Sequence, residues 1–179
     1  DKSNILEFAK MGIQIVCIDI AHGDSLQCIE MIYWIRQNLP AMFIIAGNVA
    51  TGSGARRLWE AGADVVKVGI GAGSICSTRI ETGNGVPQMT AIMEVAEVQK
   101  SLRERYNRDE FHFISDGGLS TAGAIVKALC YADAVMCGNL FAGCIEAPGE
   151  ILTIDGHSYK KYVGSSTHKT THIEGVEAI

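Results

Sequence analysis

Five short β-branched, apolar runs recur along the chain, each leading into a polar or glycine-rich loop and then a helix-patterned segment. The runs cover residues 13–18, 43–46, 64–68, 111–115 and 134–137. Helices are predicted from a cap at Asp24 or Ser25 to just before Pro40, and over 54–61, 89–103 and 121–129, with a helix end at 4–10. Strands this apolar are buried on both faces, as in parallel sheets joined by helical crossovers. Asp19, Asn48, the loop 69–79, Asp116 and Gly138 each stand just after a run, at a strand C-terminal end. Closed barrels and open doubly wound sheets both hold ligands at that edge, so the pattern predicts the face and leaves the closure open.

Beyond residue 150 the character changes. A β-hairpin is predicted over 151–162 with Asp155-Gly156 at its turn, followed by a polar stretch over 164–172. No internal repeat or linker divides the chain, so 1–179 is expected to be one domain, with 150–179 as its hairpin and flap region. At 179 residues and 47% hydrophobic composition it can bury a core. The net charge of −5, with no basic block, argues against a nucleic-acid partner and for a small-molecule site. No stretch approaches the roughly 20 apolar residues of a membrane span. No signal-peptide pattern opens the sequence. The six cysteines show neither CxxC nor Cys/His metal spacing, which fits a reducing, cytoplasmic location without a membrane partner.

The loop that leaves the third run carries the most chemistry. Gly69, Gly71 and Gly73 permit φ > 0 and remove every Cβ from one side of the turn. Successive N–H groups in such a turn form a concave anion site, and Ser74 adds a hydroxyl donor. Cys76 follows two residues later, where a nucleotide held by its phosphate would present sugar and base to the thiol. A plain glycine turn followed by a small apolar cysteine is the alternative.

The longer runs VKVGIGAGSICSTR and TGNGVPQMTAIMEV resemble the active-site loop of the IMP dehydrogenase/GMP reductase family, and the similarity extends through most of the chain. The resemblance implies a TIM (β/α)8 barrel, of which this chain carries roughly units four to eight. It implies that Cys76 attacks C2 of the purine to give a covalent thioimidate, with Thr78 and Glu146 as the other catalytic residues. Ser74, Asp116, Gly117, Gly118, Gly138, Asn139, Tyr162, Gly164 and Glu174 are the implied nucleotide contacts. Asp116 would take the ribose hydroxyls, Tyr162 the phosphate and Glu174 the purine edge. Asp19 and Asn48 are the implied contacts on the nicotinamide side of an NADPH or NAD cofactor, with His22 a neighbouring loop residue. In some family members the carbonyls at Gly71, Gly73 and Cys76 hold K+, and the family is typically tetrameric.

Two branches share this intermediate. Dehydrogenases usually follow the tyrosine with Arg-Gly-Met-Gly-Ser, whereas this chain reads Tyr162-Val163-Gly164-Ser165-Ser166. The stretch 167–173 contains neither arginine nor tyrosine to activate water. GMP reductase (GMP and NADPH to IMP, ammonia and NADP) is therefore the expectation, with IMP dehydrogenase (IMP, NAD and water to XMP and NADH) the alternative. IDIAHGDS, GNVAT and EAPGE look at least as much like dehydrogenases. A nucleotide-binding fragment without turnover is the third.

Overall fold

The structure is a computed structural model that describes residues 1–162, 164 and 175–177. Strands β1 (Ile15–Asp19), β2 (Phe43–Val49), β3 (Val65–Val68), β4 (His112–Asp116) and β5 (Ala134–Met136) form one parallel sheet in the order β1-β2-β3-β4-β5. That order bears on what the strand pattern left open. A doubly wound sheet reverses its strand order at a switch point, while here every strand pairs with its predecessor. Helix α3 (Gly52–Ala61) packs against both α2 (Leu26–Asn38) and α5 (Gln88–Tyr106), so the three form a continuous layer. The fold is α/β, a parallel five-stranded sheet with a helix layer, and fits a TIM-barrel-like fold.

Strand alternation sorts the two sheet faces. Ile44, Ala46, Val66, Val68 and Phe113 are fully buried and join the core with Ile32, Ile35, Leu58, Ile92, Val95 and Leu102 of the helices. The register puts Cys17, Ile45 and Val65, then Asp19, Gly47 and Lys67, then Asp116 and Met136 on the other face. Ser25, Thr51 and Thr121 cap α2, α3 and α6 (Ala122–Leu129) by accepting the N–H groups of Cys28, Gly54 and Ala124. Because Thr51 is the cap, α3 starts two residues earlier than its apolar spacing predicts. Phe111 takes φ +74° and therefore stands outside β4, one residue short of the predicted start.

One device appears twice. Asp64, just before β3, accepts the Ile44 N–H of β2 at 2.6 Å and the Arg36 guanidinium of α2. Asp133, just before β5, accepts the Phe113 N–H of β4 at 2.9 Å and the Arg103 guanidinium of α5. Each aspartate fixes a helix against the strand that follows it, so register and helix position are set together.

The sequence pattern missed two short helices, α4 (Thr78–Thr82) and α7 (Asn139–Ala142). A first helix, α1 (Lys2–Lys10), precedes β1. Strands β6 (Ile151–Ile154) and β7 (His157–Lys161) pair as an antiparallel hairpin. Its turn residues Asp155 and Gly156 both have positive φ, as a two-residue hairpin requires. Strand β8 (Gly175–Glu177) pairs antiparallel on the other side of β7. Among the described residues no helix is long and apolar enough to cross a membrane.

Candidate active site

Strand β3 exits at Gly69 with φ +148°, where an added Cβ would lie 2.0 Å from the Asp116 carbonyl oxygen. The ends of β3 and β4 are thus pressed together, and only glycine fits between them. Further along the loop, the Cys76 N–H donates to the Gly73 carbonyl at 3.1 Å. The half-buried Cys76 thiol then donates to Thr78 Oγ1 at 3.3 Å. Arg79, one residue beyond, folds back over Gly71 and Gly85. Its guanidinium donates to the Ile70 and Val86 carbonyls and so clips together the two ends of the loop that bears Cys76.

Three strand ends meet beside this loop around a cavity of about 170 Å³. Gly73 and Ser74 line it from the β3 loop, Gly117 and Gly118 from the β4 loop, and Gly138 and Asn139 from the start of α7. Tyr162 closes it from the end of the hairpin, with its hydroxyl 2.3 Å from where a Gly138 Cβ would stand. The Ser74 and Gly118 N–H groups donate to no protein acceptor among the described residues. Free N–H groups, hydroxyls and no carboxylate make a cavity suited to a small anion. Six of the residues expected to contact a nucleotide therefore line one cavity, and Asp116 directly precedes two of them. Gly164 is described two residues past Tyr162, while Glu174 lies outside the described residues.

Next to the cavity, the sheet face opposite the helix layer holds a charged cluster. Lys67 is 3% exposed, and its Nζ lies 2.9 Å from Asp116 Oδ2 and 3.2 Å from Asp19 Oδ2. Burial pushes the Lys67 pKa down, but the two carboxylates outweigh it, Asp116 foremost, and the net direction is up. Asn48 donates through Nδ2 to the Gly69 carbonyl at 2.8 Å and to Asp116 Oδ2 at 2.9 Å. Two acceptors on one nitrogen fix the amide orientation, which leaves Asn48 Oδ1 buried without a donor. That orphaned acceptor, beside the exposed Asp19 carboxylate, fits an amide N–H and a hydroxyl of a dinucleotide such as NAD.

Gln88, at the start of α5, was not singled out from the sequence. Its Nε2 donates to the Val68 carbonyl at 2.8 Å and to Ser115 Oγ at 3.2 Å, tying β3 to β4 beneath both loops. Its position after Pro87, at a helix start, was the available signal, but such glutamines are ordinarily solvated. Arg79 and Lys160 were likewise missed, since a basic residue gives no hint of burial until its partners are known.

Glu146 stands exposed on the turn after α7 and makes no hydrogen bond or ion pair among the described residues. No bond among the described residues links it to Thr78, which accepts from the Cys76 thiol. His22 is exposed in the loop after β1. Gly73, one of the three carbonyls implied for K+, already accepts the Cys76 N–H.

The family model described as IMP dehydrogenase / GMP reductase domain matches residues 1–177. The inosine-5'-monophosphate dehydrogenase of Aquifex aeolicus (strain VF5) is 47% identical over 161 residues, covering 89% of this chain and 31% of the relative. That of Chlorobaculum tepidum is 47% identical over 154 residues, covering 86% and 30% respectively. That of Streptococcus pyogenes is 48% identical over 154 residues, again 86% and 30%. The chain spans under a third of the length of these curated relatives.

Proposed function

The chain belongs to the IMP dehydrogenase / GMP reductase family, and on that premise we propose that it carries the nucleotide-binding and nucleophilic part of an IMP dehydrogenase. The observation that carries this is the cavity shared by the Ser74, Gly117–Gly118 and Gly138–Asn139 loops, with the Cys76 thiol two residues from Ser74. The five β/α units correspond, on this view, to units four to eight of a (β/α)8 barrel. The outer edges of β1 and β5, unpaired among the described residues, support that correspondence.

The dehydrogenase takes the place of the reductase expected from the tail. The relatives above are named dehydrogenases, and 163 and 165–174, which favoured a reductase, lie outside the described residues. The substrate is then IMP and the cofactor NAD, rather than GMP and NADPH. A homo-tetramer and a K+ requirement through Gly71, Gly73 and Cys76 belong to the proposal on the strength of the resemblance.

The phosphate of IMP sits against the Ser74 and Gly118 N–H groups and the Tyr162 hydroxyl. Asp116 holds Oδ2 on Lys67 and Asn48 and offers Oδ1 to the ribose hydroxyls. Held so, the base meets Cys76. The half-buried thiol loses its proton to solvent, Thr78 Oγ1, already its hydrogen-bond partner, steadies the sulfur, and Sγ bonds C2 of the purine as the thiolate. Bound NAD supplies the acceptor for the hydride that leaves C2, and Asn48 Oδ1 and Asp19 are the groups that hold it. Water then adds at C2, the C–S bond breaks, and the cysteine leaves as thiolate to give XMP. Glu146, with Thr78, carries the proton of that water away.

A paired assay tests this on the protein that carries the chain. IMP with NAD should generate reduced nicotinamide, and GMP with NADPH should consume none. Cys76→Ala should still bind IMP yet turn over none; activity in that variant would sink the covalent mechanism. Consumption of NADPH with GMP would reinstate the reductase. Neither reaction, with IMP still bound, would favour the fragment that binds without turnover.

A further inference from the structure

Lys160 is the most buried charged side chain among the described residues, 2% exposed against 3% for Lys67. Unlike Lys67, it has no carboxylate partner among the described residues. Its Nζ instead lies 2.5 Å from the Cys144 carbonyl, 3.1 Å from that of Ile145 and 2.6 Å from that of Ala147. The ammonium has three N–H groups, and three carbonyls take them. Burying an ammonium costs several kcal/mol, and a methionine of similar length would fill the same space without that cost. Packing alone does not account for the charge.

What the charge does is bracket one residue. The three carbonyls come from a four-residue run whose remaining member is Glu146. Two residues beyond Lys160, Tyr162 lays its hydroxyl against Gly138. Gly138 precedes the four residues of α7, and the 144–147 turn follows them. One chain segment therefore grips both ends of α7: the phosphate cavity at one end, the carboxylate at the other.

Resting on the role assigned to Glu146 above, we infer that Lys160 is the positioning residue that fixes the Glu146 carboxylate relative to the bound nucleotide. It acts through the backbone of the turn and touches neither substrate nor cofactor. Its contribution to turnover therefore exists only while residue 146 is a carboxylate.

The test is a double-mutant cycle in the full protein with IMP and NAD, using K160M, E146Q and K160M/E146Q, each checked for native fold by circular dichroism. K160M should lower kcat roughly 10- to 100-fold, within what a positioned acid–base group contributes. In the E146Q background the same change should lower kcat less than about twofold, because contributions that run through one group do not multiply. If K160M does not fold, K160R replaces it: Arg keeps the charge, but its planar fork cannot meet three converging carbonyls, so a smaller loss should likewise vanish with E146Q. Equal factors in both backgrounds, or wild-type kcat in the lysine variant, would overturn the inference while leaving Glu146 in place. Wild-type kcat in E146Q alone would overturn the Glu146 role, and this inference with it.

Discussion

Lys67 and Asp116 meet through a single carboxylate oxygen: Nζ lies 2.9 Å from Oδ2, and Asn48 Nδ2 reaches the same atom at 2.9 Å. Oδ1 accepts nothing among the described residues. A carboxylate held by one oxygen and free at the other is oriented before any ligand arrives. The loop ends of β2, β3 and β4 are brought together by that one atom.

Lys67→Met should therefore weaken both the fold and the site. Removing one partner of a buried pair leaves the other charge uncompensated, at about 3–5 kcal/mol when both are fully buried. Asp116 is partly exposed, so a loss of about 2 kcal/mol is expected from urea unfolding. IMP affinity, measured by titration calorimetry, should fall with it. Unchanged affinity would mean that Asn48 orients Asp116 unaided.

Two glycines separate folding from binding. Gly69→Ala drives a Cβ into a backbone carbonyl at positive φ, where neither side can yield, and should cost about 3 kcal/mol of stability. Gly138→Ala meets only the tip of the Tyr162 side chain, which can swing away. Its stability should stay within about 1 kcal/mol of the parent. Its KM for IMP should rise about tenfold, the worth of one charge-assisted hydrogen bond. Tyr162→Phe should raise KM similarly, and the double variant no further.

Arg79→Ala should unclip the loop that holds Cys76. The expected result is faster amide exchange over residues 69–86 and a kcat about tenfold lower or worse, since misplacing a reacting atom by an ångström is costly. Arg79→Lys should not restore it, because one ammonium cannot reproduce the fork that spans the Ile70 and Val86 carbonyls. Normal kcat with fast exchange would show that the loop reorders when nucleotide binds.

Acid should release the β4–β5 junction. Burial alone would raise the Asp133 pKa, but the Phe113 N–H, His112, Gln99 and Arg103 outweigh it and the net direction is down. A carboxylate with a depressed folded pKa stabilises above its unfolded value of about 3.9, and that contribution is lost as pH falls through the folded pKa. Asp133→Asn should therefore be less stable than the parent near neutrality. The gap should narrow below about pH 4. A pH-independent gap in thermal unfolding would assign the loss to shape rather than charge.

The alternation of apolar runs and helix caps is local information, and it was enough to locate five strands and the edge where chemistry gathers. The placement of Ser74, Asp116, Gly117, Gly118 and Gly138 in loops beyond strand ends was legible for the same reason: each loop follows an apolar run. Strand order was not legible, because the same β/α alternation builds barrels and doubly wound sheets. It took the pairing of β1 with β2 through to β4 with β5 to distinguish them. The polar supports were equally hidden. Gln88, Arg79 and Lys160 look like surface residues in the sequence; Lys67 and Lys160 become buried anchors, and Gln88 and Arg79 half-buried ones, only through acceptors 7 to 49 residues away. Propensity and spacing act between near neighbours along the chain, whereas a buried ammonium depends on which distant carbonyls and carboxylates the packing turns toward it.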